Sequence, residues 1–327
     1  MKKRLMKKQG STALFTYEMT IPTIVVILIM TVYPVIFTVL YSFTDYNYLK
    51  GTYSWIGLEN YKNLFSNGFF RQSVWNTILF TLIAVVVEIG LGLLLALYVN
   101  SLKKGKKIFR TLVLLPYLLP AVMVALIWRM MLSPNYGIVT QILSSLGLPA
   151  YNWFYDMKTA FGTILVIDIW QNTPFAFLLL YACLQGVSES QKQAAAIDGA
   201  GCLQTFRHIV LPNISGGLAL CAMLRTIDTF RLFEKVNILT GGGPAGTTST
   251  ITQFMYTYGI KTLKFGFASA SSIVMTILVL ILSVGYVKKG SSYKLDVHKE
   301  RYIERYENKY GNIRTNCKKC GHHVYES

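Results

Sequence analysis

The sequence predicts an all-α integral membrane protein of six transmembrane helices, on three observations. The 327 residues are 53% hydrophobic but only 14% charged, with a mean hydropathy of +0.41, a balance unsuited to a chain surrounded by water. Six stretches, 18–43, 73–101, 110–132, 159–184, 213–235 and 265–287, are apolar over the roughly 20 residues that a bilayer-crossing helix needs. Finally, Lys and Arg alternate in density between them. With the N-terminus inside, residues 1–13 hold five, 101–110 five, 185–212 two and the tail from 288 ten, against three, one and two in 44–72, 133–158 and 240–264. Twenty-two against six places both termini in the cytoplasm. The other four cations, Arg129, Arg225, Arg231 and Lys235, lie within or at the ends of spans.

Residues 1–17 form a basic cytoplasmic N-terminus. MKKRLMKKQG has the charge of a signal-peptide start, but the apolar stretch after it is too long and lacks a small-residue cleavage site, so it reads as a retained first span. Pro22 and Pro34 in the first span, Pro116 and Pro120 in the third and Pro174 in the fourth are compatible with crossing, because neighbouring helices satisfy the carbonyls that proline frees. The outside segments 44–72 and 133–158 are rich in Tyr and Trp, as an interfacial belt is. The net charge of +17 argues against nucleic acid by its placement, since it flanks apolar spans and faces anionic headgroups in the lipid bilayer. Cys183, Cys202 and Cys221 stand apart and read as small apolar fillers. From 288 to 327 the chain is a basic cytoplasmic tail ending NCKKCGHHVYES. Its first reading is a segment near the inner leaflet. Cys317, Cys320, His322 and His323 offer zinc chemistry, but one knuckle is half a site.

Between the fourth and fifth spans lies a polar island, residues 188–212, whose core reads QAAAIDGAGCLQTFRHIVLP from Gln193 to Pro212. Ser188 or Ser190 suits a helix N-cap, and Gln193, Ala194 and Ala195 begin a run of helix formers. Asp198, Gly199 and Ala200 break it, since glycine reaches backbone angles that alanine avoids. Leu203 to Val210 make a second short helix with Phe206 and Ile209 on one face, and Leu211-Pro212 opens the next span. Two short helices hinged at a glycine make a docking element; a lone amphipathic surface helix is the plainer alternative.

Ionisable residues inside spans are expensive and face protein or a wet cavity. Arg225, Asp228, Arg231 and Glu234 recur every three residues, which pairs Arg225 with Asp228 and Arg231 with Glu234. The pattern fits self-neutralising pairs, a span that ends early, or a path offering hydrogen bonds to a hydroxylated solute. Asp168, Trp170, Gln171 and Asn172 in the fourth span, and Trp128 with Arg129 in the third, extend the candidate path.

The loop resembles the coupling loop of binding-protein-dependent ABC importer permeases. The resemblance continues through YP at 33–34, SFTDYN at 42–47, WIGLENY at 55–61, WNTILF at 75–80, LLPYLLP at 114–120, DIWQNTPF at 168–175 and LTGGGP at 239–244. These are similar to the maltose, glycerol-3-phosphate and multiple-sugar importers, on the side of the first of their two permease subunits. The resemblance implies a type I ABC importer permease fold over 18–287, with its core at about 73–287. It also implies a second homologous permease, two cytoplasmic ATPase subunits that use ATP and magnesium, and an extracytoplasmic solute-binding protein. The chain itself has no Walker motif, and GGGPAGTT at 241–248 lacks the phosphate-reaching lysine. So no cofactor and no catalytic residue are expected in it. The family usually has Glu at the position of Gln193, where it helps seat the loop in an ATPase cleft, and Pro at that of Ser188. Glutamine keeps the size and loses the charge. A stand-alone secondary transporter is the competing class. It would recruit Asp168 and Asp228 as ion-coupling carboxylates and leave the loop unexplained.

Overall fold

A computed structural model describes residues 2–286 apart from Lys50, Thr52, Leu148 and Ala150. The tail with Cys317, Cys320, His322 and His323 lies outside the described residues. Among the described residues, five helices are long and apolar enough to cross a membrane: Glu18–Ser42, Gly68–Ser101, Ala160–Gln185, Cys202–Leu239 and Phe265–Tyr286. A bent pair makes six if it crosses as one span. The described residues divide into two compact units, one up to Asn76 with Ser249–Leu278, the other of Thr77–Thr248 with the described residues from Val279.

In the first unit, α1 (Lys2–Ser42) carries an apolar span with none of its best window buried, a surface left for lipid or a partner helix. At its end Asn60, on α2 (Glu59–Ser66), donates to the carbonyls of Ser42 and Thr44 at 2.9 and 2.8 Å. An antiparallel bridge joins Thr44 to Trp55. Gly266 packs so closely that a Cβ there would sit 2.1 Å from the Thr44 carbonyl oxygen.

The second unit holds most of α3 (Gly68–Ser101), then α4 (Lys106–Leu118) and α5 (Ala121–Met131). The span expected over 110–132 is a helix pair bent by 89°. The cause is local. Leu119 precedes Pro120 and is extended, with φ −80° and ψ 134°, because the proline ring disfavours helical geometry in the residue before it. After α6 (Ile138–Ser145) comes α7 (Ala160–Gln185), the most enclosed of the spans. It crosses α3 where Gly92 sits: a Cβ there would lie 2.8 Å from both the Ala176 Cβ and the Phe177 nitrogen.

Two apolar cores stack along this unit. One joins Phe80 and Ala84 of α3, Val124 of α5 and Ile164 and Ile167 of α7 to Leu232 and Val236. The other joins Ala96 and Val99 of α3 and Phe177, Leu180 and Leu184 of α7 to Val210 and Ile214. Along both α3 and α7 the residues between these cores include the buried polar ones, Glu88, Asp168 and Gln171. A polar layer is thus enclosed between two apolar ones.

Candidate functional site

Four charges meet in that layer. Arg225, on α10 (Leu211–Phe230), is 3% exposed and Glu88 is fully buried. The guanidinium donates to both Glu88 carboxylate oxygens, from Nε at 2.7 Å and Nη2 at 3.1 Å, the two-pronged geometry that makes such pairs strong. Lys235, on α11 (Glu234–Leu239), donates to Oδ1 of the buried Asp168. The pairs adjoin, with Arg225 Nη2 3.9 Å from Asp168 Oδ2. Asn172, one turn along α7, also donates to Asp168 Oδ1, at 2.9 Å.

A cavity of about 500 Å³ opens beside this cluster, walled by Tyr117 and Ala121 from the bent pair, Asp168, Gln171 and Asn172 from α7, and residues of α10 and α11. That volume is in the range of small-molecule sites, about 300–1,000 Å³. Gln171 donates its amide N–H to the Leu119 carbonyl at 2.8 Å, meeting an oxygen that the helix break leaves without an intrahelical partner. Asp168 Oδ2 and Gln171 Oε1 are buried and accept no hydrogen bond from the described residues. Buried acceptors of this kind are costly unless something else donates to them.

The structure brings Asp168, Gln171, Asn172, Arg225 and Asp228 to one wall and leaves out Trp170, which is 42% exposed and meets Trp128 edge to face at 5.6 Å. Arg129 caps α11 instead, donating to the Ile238 carbonyl at 2.9 Å. Arg225 does lie 3.6 Å from Asp228. Arg231, however, pairs with Asp228 at 3.2 Å rather than with Glu234, because α10 ends at Phe230 and helical spacing stops there. Glu88 escaped the sequence reading. Its signal was a lone acid inside the run AVVVEIGLGLLLAL, but the partner is 137 residues away.

The polar island folds as two short helices, α8 (Glu189–Ile197) and α9 (Cys202–Thr205). Gly199 turns the chain between them at φ +77°, and the Ala200 N–H closes on the Ala195 carbonyl at 2.9 Å. From α9 a wide π turn over Phe206–Val210 runs into α10, with Pro212 in the first turn. Ser188 sits at the N-cap without capping; its hydroxyl meets that of Ser190 at 2.7 Å. Asn213 donates to Gln191 Oε1 at 3.2 Å, tying the two arms of the loop together. Phe206 and Ile209 pack inward on the second core, and Ala195 is buried. The large apolar residues facing outward are Ile197 and Leu203, 86% and 77% exposed, on either side of the glycine turn. Gln193, Ala194 and Asp198 share that exposed face.

Residues 88–288 match the family described as binding-protein-dependent transport system inner membrane component. The chain belongs to this family. It is 36% identical over 275 residues to the trehalose/maltose transport system permease protein MalF of Thermococcus litoralis, covering 84% of this chain and 92% of that one. It is 32% identical over 268 residues to the sulfoquinovosyl glycerol transport system permease protein SmoG of Agrobacterium fabrum, covering 82% and 87%. These are permeases of the sugar-type group that the motifs resemble. Among solved structures, a bacterial ABC transporter involved in the import of the acidic polysaccharide alginate superposes with a TM-score of 0.77 at 23% identity, over 87% of this chain and 98% of that one. A second alginate transporter structure, in complex with an alginate pentasaccharide-bound periplasmic protein, gives 0.74 at 22%, over 85% and 94%. The fold is therefore that of the type I ABC importer permeases, and the chain is a multi-pass inner-membrane permease component rather than an enzyme in its own right.

Proposed function

We propose that this permease forms half of the translocation path of an ATP-driven, binding-protein-dependent carbohydrate importer. Its partners are a second homologous permease, two cytoplasmic ATPase subunits that use ATP and magnesium, and an extracytoplasmic solute-binding protein. Both termini and the 193–212 loop face the cytoplasm, as the 22-to-6 distribution of cations argues. The observation that carries the proposal is the form of that loop, a hinged helix pair presenting Ile197 and Leu203 to the outside and running without a break into α10. An ATPase cleft that closes on ATP binding moves the loop, and α10 carries the movement toward the cavity at Arg225. ATP then favours one packing of the bundle through a differential contact, as any ligand-driven shift requires. The solute passes the Asp168, Gln171, Asn172, Arg225 and Asp228 wall, whose hydrogen-bonding groups suit a hydroxylated molecule.

Affinity purification from gently solubilised membranes, followed by mass spectrometry, tests this. A Walker-containing ATPase and a second six-span permease are the expected partners. A lone chain or a simple homodimer, in a detergent shown to preserve such complexes, favours a secondary transporter.

A further inference from the structure

The proteins named above include a trehalose/maltose permease and a transporter of the acidic polysaccharide alginate. Resting on the carbohydrate-importer reading, we propose that the cavity at Asp168 and Gln171 selects an uncharged polyhydroxylated solute and excludes carboxylated, sulfonated and phosphorylated sugars. The cavity wall has three acids, Asp168, Asp228 and Glu234, and three cations, Arg225, Arg231 and Lys235. Every one of those cations is already engaged: Arg225 by Glu88 at 2.7 Å, Arg231 by Asp228 at 3.2 Å and Lys235 by Asp168. The two buried wall cations, Arg225 and Lys235, are thus committed to carboxylates, and Arg231 is 68% exposed, where solvent screens its charge. Three wall acids offset the three wall cations, so an incoming anion finds no net positive charge to hold it.

The unmet demand is for donors. Asp168 Oδ2 and Gln171 Oε1 are the buried wall oxygens that accept no hydrogen bond from the described residues, at residues 2% and 5% exposed. Sugar hydroxyls donate hydrogen bonds without bringing charge; a carboxylate, sulfonate or phosphate offers acceptors where acceptors already stand. Anionic sugars are ordinarily held by arginines free to form a two-pronged contact, and the buried Arg225 spends that geometry on Glu88.

The test is ATP-driven uptake by the complete importer in proteoliposomes, with its own binding protein. Radiolabelled neutral glycosides and oligosaccharides are compared with their uronic-acid, sulfonate and phosphate counterparts. Wild-type complex should prefer the neutral series. Asp168→Asn, which frees Lys235, should raise the anionic-to-neutral uptake ratio about tenfold, the effect of one charge some 10 Å away at an effective dielectric near 20. Asp228→Asn, at a side chain 46% exposed and safe for folding, should raise it in the same direction. Anionic uptake equal to or above neutral in wild type overturns the proposal while leaving the carbohydrate importer standing. An unchanged ratio in both variants also overturns it, since selectivity then resides in the binding protein alone. ATP-driven uptake of neither series refutes the carbohydrate-importer reading itself.

Discussion

Replacing Glu88 with leucine isolates one buried ion pair of the polar layer. The Arg225 guanidinium would remain 3% exposed after losing acceptors at 2.7 and 3.1 Å. The carboxylate oxygens left nearby are Asp228 Oδ2 at 3.6 Å and Asp168 Oδ2 at 3.9 Å. Asp228 is nearly half exposed, so solvent screens its pull, and Asp168 is already held by Lys235. Removing one partner of a buried pair costs about 3–5 kcal/mol. With so little compensation, Glu88→Leu should lose at least about 3 kcal/mol. Adding Arg225→Met removes the stranded charge, and apolar replacements of buried pairs are often neutral, so the double variant should return to within about 1 kcal/mol of wild type. Tryptophan fluorescence during SDS titration in mixed micelles reads both differences. A single variant within about 1 kcal/mol of wild type, or a double variant no better than the single, would refute the argument that an isolated guanidinium is what the layer cannot tolerate.

Three further outcomes are expected. Gly92→Val forces side-chain atoms into a Cβ position already 2.8 Å from Ala176 and Phe177, and should lower stability by about 1–3 kcal/mol in the same titration. Gly199→Pro cannot adopt φ +77° because the proline ring holds φ near −65°. It should leave membrane abundance intact on immunoblots while uptake falls to background; wild-type uptake would sink the coupling role of the loop. Gly266→Ala drives a methyl toward the Thr44 carbonyl, 2.1 Å away. The expected result is faster proteolysis around residues 44–55 in intact membranes, with the second unit's protease pattern unchanged.

Hydropathy and charge placement made the helical class and the spans readable, because lipid imposes a length and a composition on each segment independently of the others. The hinge at Gly199 was equally legible, since glycine in a run of helix formers acts through its own backbone. The bend at Leu119 was less so. LLPYLLP announces two prolines, but an apolar run hides whether they kink a span or fold it back. The site was read only where its pattern was local. Arg225 with Asp228 follows from i,i+3 spacing, whereas Glu88 with Arg225 and Asp168 with Lys235 join helices 137 and 67 residues apart. Trp170 shows the converse, a site-like neighbour of Asp168 whose place on the helix turns it outward.

The order of the charges along the chain has a consequence for biogenesis. Glu88 and Asp168 come first; their partners Arg225 and Lys235 follow on α10 and α11. As the ribosome feeds helices into the bilayer, the two acids precede their counter-ions, and a lone ionisable group at a helix centre costs about 2.5–3.5 kcal/mol on insertion scales. A nascent chain that stops short of residue 225 therefore holds two unpaired carboxyls among apolar helices. The arrival of α10 supplies Arg225 to Glu88, and only with α11 does Lys235 reach Asp168 and complete the layer.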